Sequence, residues 1–367
     1  MTNKEEALLY NIAFSMLGGV TEASKLVMLR HYGSATGIFN LRKKNTPAWP
    51  IEAAEEEINF ISKHNINCFS LMDTHYPNRL INISDPPLLV YTKGSTQFNL
   101  PQLISIVGTR QHTHQVNKVI QELLEGLQHL QMGVISGMAL GVDGIAHALA
   151  LANKIPTWGV LAHGLDTIYP SAHRRLAINM LSNGGLITEC RQKTITMPYQ
   201  FPKRNRIVAG MTDATIVIES AVEGGSMITA KLARGYDREV FAVPGKIHDA
   251  KSKGCLWLIK NNIATMYHDP IQLLDNMNWP LQNDQAENDH SNAATEDLKT
   301  QSLLLSLPPI LQSVYTCIQT QGPIHKDAIS EQLAIPSPEL SSHLLSLELF
   351  DLFGQFHEVV FLILMFS

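Results

Sequence analysis

The sequence predicts an α/β fold, a mostly parallel sheet covered by helices on both faces. Three observations carry this. Between residues 103 and 280, short apolar runs alternate with segments of helical period, the pattern of repeated βαβ units. Most of the runs are short and apolar rather than alternately polar, as expected of strands buried on both faces. Loops containing glycine follow four of these runs, at the sheet edge where α/β proteins hold ligands.

In order along the chain, residues 4–45 read as short helices. Leu8, Leu9, Ile12, Ala13 and Met16 recur at helical spacing. Gly18-Gly19 breaks the run, Thr21 is placed to cap a second helix with Glu22 just inside it, and Tyr32-Gly33-Ser34 stops it. Helix, glycine turn and helix resemble a SAM-like or helix-hairpin-helix module; a small helical packing domain is the alternative. Residues 51–63 form an amphipathic helix with Glu55-Glu56-Glu57 on a solvated face. The period changes at Ile66. Residues 67–71 and 88–91 are strand-like, with Tyr76-Pro77 and Asp85-Pro86-Pro87 as breakers between them.

Strands are then expected at 103–107, 133–136, 157–161, 186–188, 215–219 and 240–243, with a last strand-like piece near 263–266. Helices are expected at 116–130, 141–152, 173–182, 227–236 and 270–276. Phe201-Pro202-Lys203-Arg204-Asn205-Arg206 reads as a basic loop. Residues 281–302 are polar, acidic and poor in large apolar side chains, the composition of a linker. Residues 303–367 read as three helices around a Gly322-Pro323 turn, like a winged helix or a small helical bundle. The end, 359–366, is apolar where a wing would carry turn residues. The expected domains are 1–65 (helical), 66–280 (sheet), 281–302 (linker) and 303–367 (winged-helix-like).

Composition excludes several classes. Hydrophobic residues make up 45% of the 367, enough for more than one core. Cys68, Cys190, Cys255 and Cys317 are widely spaced, which argues against a disulfide framework or structural zinc and fits a reducing compartment. Glu5 and Glu6 stand where a signal peptide would be basic, and no apolar run reaches the ~18 residues of a spanning helix. A cytoplasmic protein without membrane contact is expected. The net charge is −5 but unevenly spread: residues 101–280 hold 17 Lys and Arg against 13 Asp and Glu. The middle of the chain is its basic part, and local field matters more than the total for an anionic partner.

Four loops carry the candidate chemistry. Gly108-Thr109-Arg110 aims an arginine over the strand ends, suited to a bidentate phosphate grip. Ser136-Gly137-Met138-Ala139-Leu140-Gly141-Val142-Asp143 runs into a helix whose first N–H groups face an anion. His163-Gly164-Leu165-Asp166 with Tyr169-Pro170 follows a third strand, and Glu223-Gly224-Gly225-Ser226 a fourth. Each loop alone is an ordinary turn; four together with Lys203, Arg204 and Arg206 point to phosphate, and to phosphate belonging to a nucleic acid strand. No GxGxxG or GxxxxGK[ST] pattern occurs, which disfavours a nicotinamide cofactor or ATP. His147 with Asp143, and His112 with His114, are spaced like metal ligands but lack a third, so a hydrogen-bonded structural histidine is expected instead.

These segments occur together and in order, closing on Val240-Phe241-Ala242-Val243-Pro244-Gly245. As a set they resemble the DNA-processing protein A family (DprA/Smf), strongly over about 70–275. The resemblance implies an extended Rossmann-like fold that binds single-stranded DNA regardless of sequence, without cutting it and without a cofactor. It implies a homodimer that protects incoming DNA and loads the recombinase RecA during natural transformation. Matched motif by motif, the DNA-contacting positions are Arg110, Lys203, Arg204 and Arg206, with Asn205 holding the basic loop or accepting a backbone contact. Gly108, Gly137, Gly224 and Gly225 complete the site, and Ser226 with its helix caps a phosphate. Gly224 stands where the family usually has serine, and 359–366 departs from its wing. The alternative reading is a Rossmann-like nucleotide phosphoribohydrolase using Glu219 and Glu223; its PGGxGT-type loop is not matched by Gly224-Gly225-Ser226-Met227-Ile228-Thr229.

Overall fold

A computed structural model of the chain describes residues 3–41, 48–280, 308–321 and 326–349. It divides into two compact units, 1–280 and 281–367. The expected linker and the apolar stretch 359–366 lie outside the described residues.

The first unit is built on one nine-stranded sheet. Its strands are β1 (Asn67–Ser70), β2 (Leu89–Gly94), β3 (Gln102–Val107), β4 (Met132–Ser136), β5 (Thr157–Val160), β6 (Gly184–Thr188), β7 (Ala214–Val217), β8 (Glu239–Ala242) and β9 (Thr265–Met266). Their spatial order is β1-β2-β6-β5-β4-β3-β7-β8-β9. From β6 to β9 all neighbours are parallel; β2 is antiparallel to both β6 and β1. The chain winds outward from β3 through β4, β5 and β6, then returns to β3's other side with β7. The loops after β3 and β7 therefore leave adjacent strand ends in opposite directions and open a crevice, the topological switch point of a doubly wound sheet.

Among the described residues this unit has twelve α-helices: α1 (Asn3–Ser15), α2 (Glu22–Tyr32), α3 (Ala35–Asn40), α4 (Ile51–Lys63), α5 (Asn78–Ile81), α6 (Gln115–Leu127), α7 (Val142–Ala152), α8 (Arg174–Met180), α9 (Gln200–Gly210), α10 (Gly225–Gly235), α11 (Lys253–Lys260) and α12 (Pro270–Met277). The period of two along β3 assigns them to faces. Ile104 and Ile106 pack with side chains of α6, α7 and α12, while Leu103 and Val107 pack with those of α9, α10 and α11. Each such fully buried side chain contributes about 1.5–3 kcal/mol. Two buried hydroxyls sit inside the sheet, Ser105 donating to Thr215 at 2.8 Å and Ser136 to the Ile106 carbonyl at 2.6 Å.

The N-terminal helices share a core with the sheet edge: Leu9, Ile12 and Ala13 of α1 pack with Ile66, Leu89 and Tyr91. Thr21 caps α2, its Oγ1 accepting the Ser24 N–H at 3.1 Å, and Gly33 ends that helix at φ 74°. The second unit contains α13 (Pro309–Gln321), α14 (Lys326–Leu333) and α15 (Ser337–Leu349), which bury Val314, Ile329 and Leu340 completely.

One element differs from the sequence expectation in a way that matters for the site. The expected basic loop is helical: Phe201 to Arg206 lie within α9. Pro202 does not oppose this, because it is the third helical residue, where a backbone N–H has no partner inside the helix. Helix α11 is a further difference; Gly254 and the lysines at its two ends, Lys253 and Lys260, hide its buried positions Cys255 and Leu258.

Candidate nucleic-acid interface

The crevice at the switch point is a cleft of about 690 Å³. Its floor is formed by the ends of β3, β4 and β7, one wall by α9, and another by the N-terminus of α10. Eight of the ten residues expected at the site line it: Gly108 and Arg110 from the first loop, Gly137 from the second, Arg204 and Asn205 from α9, and Gly224, Gly225 and Ser226 from the fourth. Lys203 and Arg206 do not line it.

Helical geometry explains the division. Phe201, Arg204, Asn205 and Val208 all face the cleft, the i, i+3, i+4, i+7 stripe of one helix face. Successive residues turn by about 100°, so four consecutive polar side chains cannot share a side. Lys203 lies exposed with its Nζ 3.4 Å from the Glu189 carboxylate. The Arg206 guanidinium is buried, donating to the Glu189 carboxylate and the Asp85 carbonyl. Of the three basic residues expected to form one phosphate track, the structure brings Arg204 to the cleft and places Lys203 and Arg206 beside Glu189.

Arg204 enters from below. Its Nη1 donates to the Val160 carbonyl, and its buried Nε has no hydrogen-bond partner. Burial holds its pKa below the usual guanidinium value, opposed by Asp143 and reinforced by Arg110. Asp143 is buried beside it and accepts the Ala139 N–H at 3.3 Å. Burial raises its carboxyl pKa, with Arg204 pulling the other way. Gly137 separates the two. A Cβ there would fall 2.5 Å from Arg204 Nη1 and also onto the Asp143 carboxylate, so a side chain at 137 would push these two charged tips from their places. Gly141, at φ 84°, abuts the first loop: a Cβ would lie 2.6 Å from the Arg110 carbonyl. Arg110 itself is exposed and forms no hydrogen bond or ion pair with the described residues.

At the opposite wall Gly224 is extended and α10 begins at Gly225. The leading N–H groups of a helix lack partners within it and carry its positive dipole end. The Ser226 hydroxyl is not part of that donor set, because it donates to Ser220 Oγ at 2.8 Å. Asn205 Nδ2 donates to the Gly225 carbonyl at 3.3 Å and ties α9 to α10. It braces the walls by donating rather than accepting.

Sequence reading missed Phe201 as a cleft residue. Its signal was present, since Phe201 leads the apolar and polar stripe once the segment is read as a helix. Beside it lies a small recess that includes Met138, Leu140 and His163, with Tyr169 half-exposed and its ring 6.0 Å from that of Phe201. The Tyr169 N–H donates to His163 Nε2 at 3.2 Å.

His147 is structural. It is fully buried, its Nε2 donating to the Gly137 carbonyl at 2.8 Å and its Nδ1 accepting from the Thr157 hydroxyl at 2.6 Å. Burial lowers its pKa to about 4, so it is neutral near pH 7. No group of His, Cys, Asp and Glu suited to a metal ion occurs among the described residues.

A sequence profile described as DNA recombination-mediator protein A matches residues 67–278. Protein Smf of Escherichia coli is 31% identical over 317 residues, covering 86% of this chain and 82% of that protein. DNA processing protein DprA of Streptococcus pneumoniae is 36% identical over 192 residues, covering 52% and 68%. The X-ray structure of the Streptococcus pneumoniae DprA superposes with a TM-score of 0.63 at 30% identity, covering 73% of this chain and 97% of that one. A Helicobacter pylori DprA structure, described for its single-stranded DNA binding mode, gives a TM-score of 0.53 at 26% identity over 59% and 97%.

Proposed function

Because the chain belongs to the DNA recombination-mediator protein A family, we propose that it binds single-stranded DNA in the cleft between α9 and α10. The observation that carries this is the α9 stripe. It places an aromatic ring, Phe201, and a buried guanidinium, Arg204, side by side against the exposed Arg110 and the start of α10. Phosphates take the two arginines and the helix N–H groups, and bases turn to the Phe201 side. Neither contact reads base identity, so binding is independent of sequence and weakens steeply with salt.

The protein is a binder rather than a catalyst in this reading. Glu219 and Glu223, the acids the phosphoribohydrolase alternative needs, do not line the cleft. The Glu219 carboxylate is occupied by two donors from Thr113. Family membership further supports a role in natural transformation, in which a homodimer protects incoming strands in the cytoplasm and loads RecA onto them. No helix among the described residues is long and apolar enough to cross a membrane, and the proposal needs none.

A titration of labelled single- and double-stranded oligonucleotides at several salt concentrations tests the core of this. Single strands are expected to bind with a clearly negative salt slope, and Arg110→Ala to lose about 1–3 kcal/mol on every sequence. Parent-like binding by Arg110→Ala, or no single-strand binding at all, overturns the site. Release of free base from nucleoside monophosphates would favour the enzymatic alternative.

A further inference from the structure

We propose that Glu219 is a positioning residue that holds the Arg110 loop in its binding-ready form; this rests on the single-strand cleft proposed above. Glu219 follows β7, across the switch point from β3. It grips the loop after β3 at two places. Its backbone carbonyl accepts the Thr109 N–H at 2.7 Å. Its carboxylate takes Thr113 twice, Oε2 accepting the N–H at 3.0 Å and Oε1 the hydroxyl at 2.5 Å. Positions 109 and 113 are thereby fixed by one residue, and Arg110, Gln111 and His112 arch between them, all three exposed.

The arch has little else to hold it. Gln111 N–H bonds to Thr109 Oγ1 at 3.2 Å and His112 Nδ1 approaches the Thr113 carbonyl at 3.0 Å; both contacts stay inside the loop. Two other bonds leave the loop: Val142 N–H to the Thr109 carbonyl at 3.2 Å, at the end that the Glu219 carbonyl also holds, and Val116 N–H to the Thr113 carbonyl at 3.3 Å, in the turn that opens α6. Beyond that local turn, the Glu219 carboxylate is what ties the far end across the switch point to the β7 side. An arginine on a loose arch must be ordered when phosphate arrives, and that ordering subtracts from affinity; an arch fixed beforehand avoids the loss. The carboxylate keeps its negative charge near the proposed anion site, but its oxygens are turned to the Thr113 donors and the side chain lies outside the cleft.

The test is a double-mutant cycle on the full chain: parent, Glu219→Ala, Arg110→Ala and the double variant. Each is titrated with a labelled oligo-dT single strand and checked by thermal melting. Glu219→Ala is expected to weaken binding on the order of ten-fold, and to cause no further loss when Arg110 is already alanine. Glu219→Gln, which keeps one carbonyl acceptor for Thr113, should recover part of the affinity; it also serves if the alanine variant does not fold. Equal losses with and without Arg110 would show a general structural role and overturn the proposal, as would parent-like binding by Glu219→Ala. If Arg110→Ala itself binds like the parent, the cleft assignment and this inference fall together. If Arg110→Ala is weakened and Glu219→Ala is not, only this inference falls.

Discussion

His147 shows how one buried side chain ties the candidate site to the stability of the sheet. Its neutral ring joins the Gly137 carbonyl on β4's loop to Thr157 on β5. The unfolded chain protonates this histidine below its ordinary value of 6.5, whereas the folded protein does not until about 4. Protons therefore bind preferentially to the unfolded state in that window, and stability falls as pH drops from about 6.5 to about 4, by up to ~3 kcal/mol. Asp143 acts with the opposite sign, since its raised folded pKa favours the folded state as pH falls. The histidine term is isolated by comparing melting temperatures of the parent and His147→Gln between pH 7 and pH 5. The parent should lose more over that interval than the variant, and identical pH profiles would rule the assignment out. The histidine spacing with Asp143 was visible in the sequence and was read as structural; what the sequence could not show was the pair of acceptor and donor that fixes its tautomer.

At the scale of an element, α9 sorts its side chains between the cleft and the Glu189 side. The stripe Phe201, Arg204, Asn205 and Val208 faces the cleft, and Lys203 and Arg206 turn to Glu189. Phe201→Ala should therefore weaken single-strand binding by about 1–3 kcal/mol, the range for loss of a base-stacking ring. Lys203→Ala, on the other face, should leave the salt slope close to that of the parent. Oligonucleotide titrations of the two variants check the contrast, and a larger effect from Lys203→Ala would place the strand on the wrong face of the helix. The parallel strands were legible because continuous apolar runs such as 103–107 have few alternatives. The glycine loops were legible because they follow those runs directly. Helix α9 was not, since its proline and its cluster of charges imitate a loop, and the helical period shows only when Phe201 and Val208 are counted with the polar residues between them. In the sequence Glu219 reads as a strand end, or as an acid of the enzymatic alternative; its contact with Thr113, which is distant in sequence, is brought about by the β3–β7 pairing.

For the whole molecule, the proposed binding of a polyanion has to be reconciled with a net charge of −5. The charge is divided between the two units. Residues 281–367 hold 2 Lys and Arg against 11 Asp and Glu, so residues 1–280 alone carry 26 against 22, a net +4. The first unit contains the whole cleft and a continuous core of its own. On charge alone, the acidic remainder is expected to oppose DNA at long range. A chain ending at Pro280 should therefore bind single strands faster than the full chain at low salt, where the Debye length is roughly 30 Å at 0.01 M. The advantage should vanish at about 0.15 M, where charges beyond ~8 Å are screened. Dissociation rates should match, because Arg110, Arg204 and the start of α10 are the same in both. Stopped-flow association measured across that salt range decides it. A truncated chain that melts cooperatively yet binds more slowly at low salt would mean that residues 281–367 supply DNA contacts of their own, against the sign of their charge.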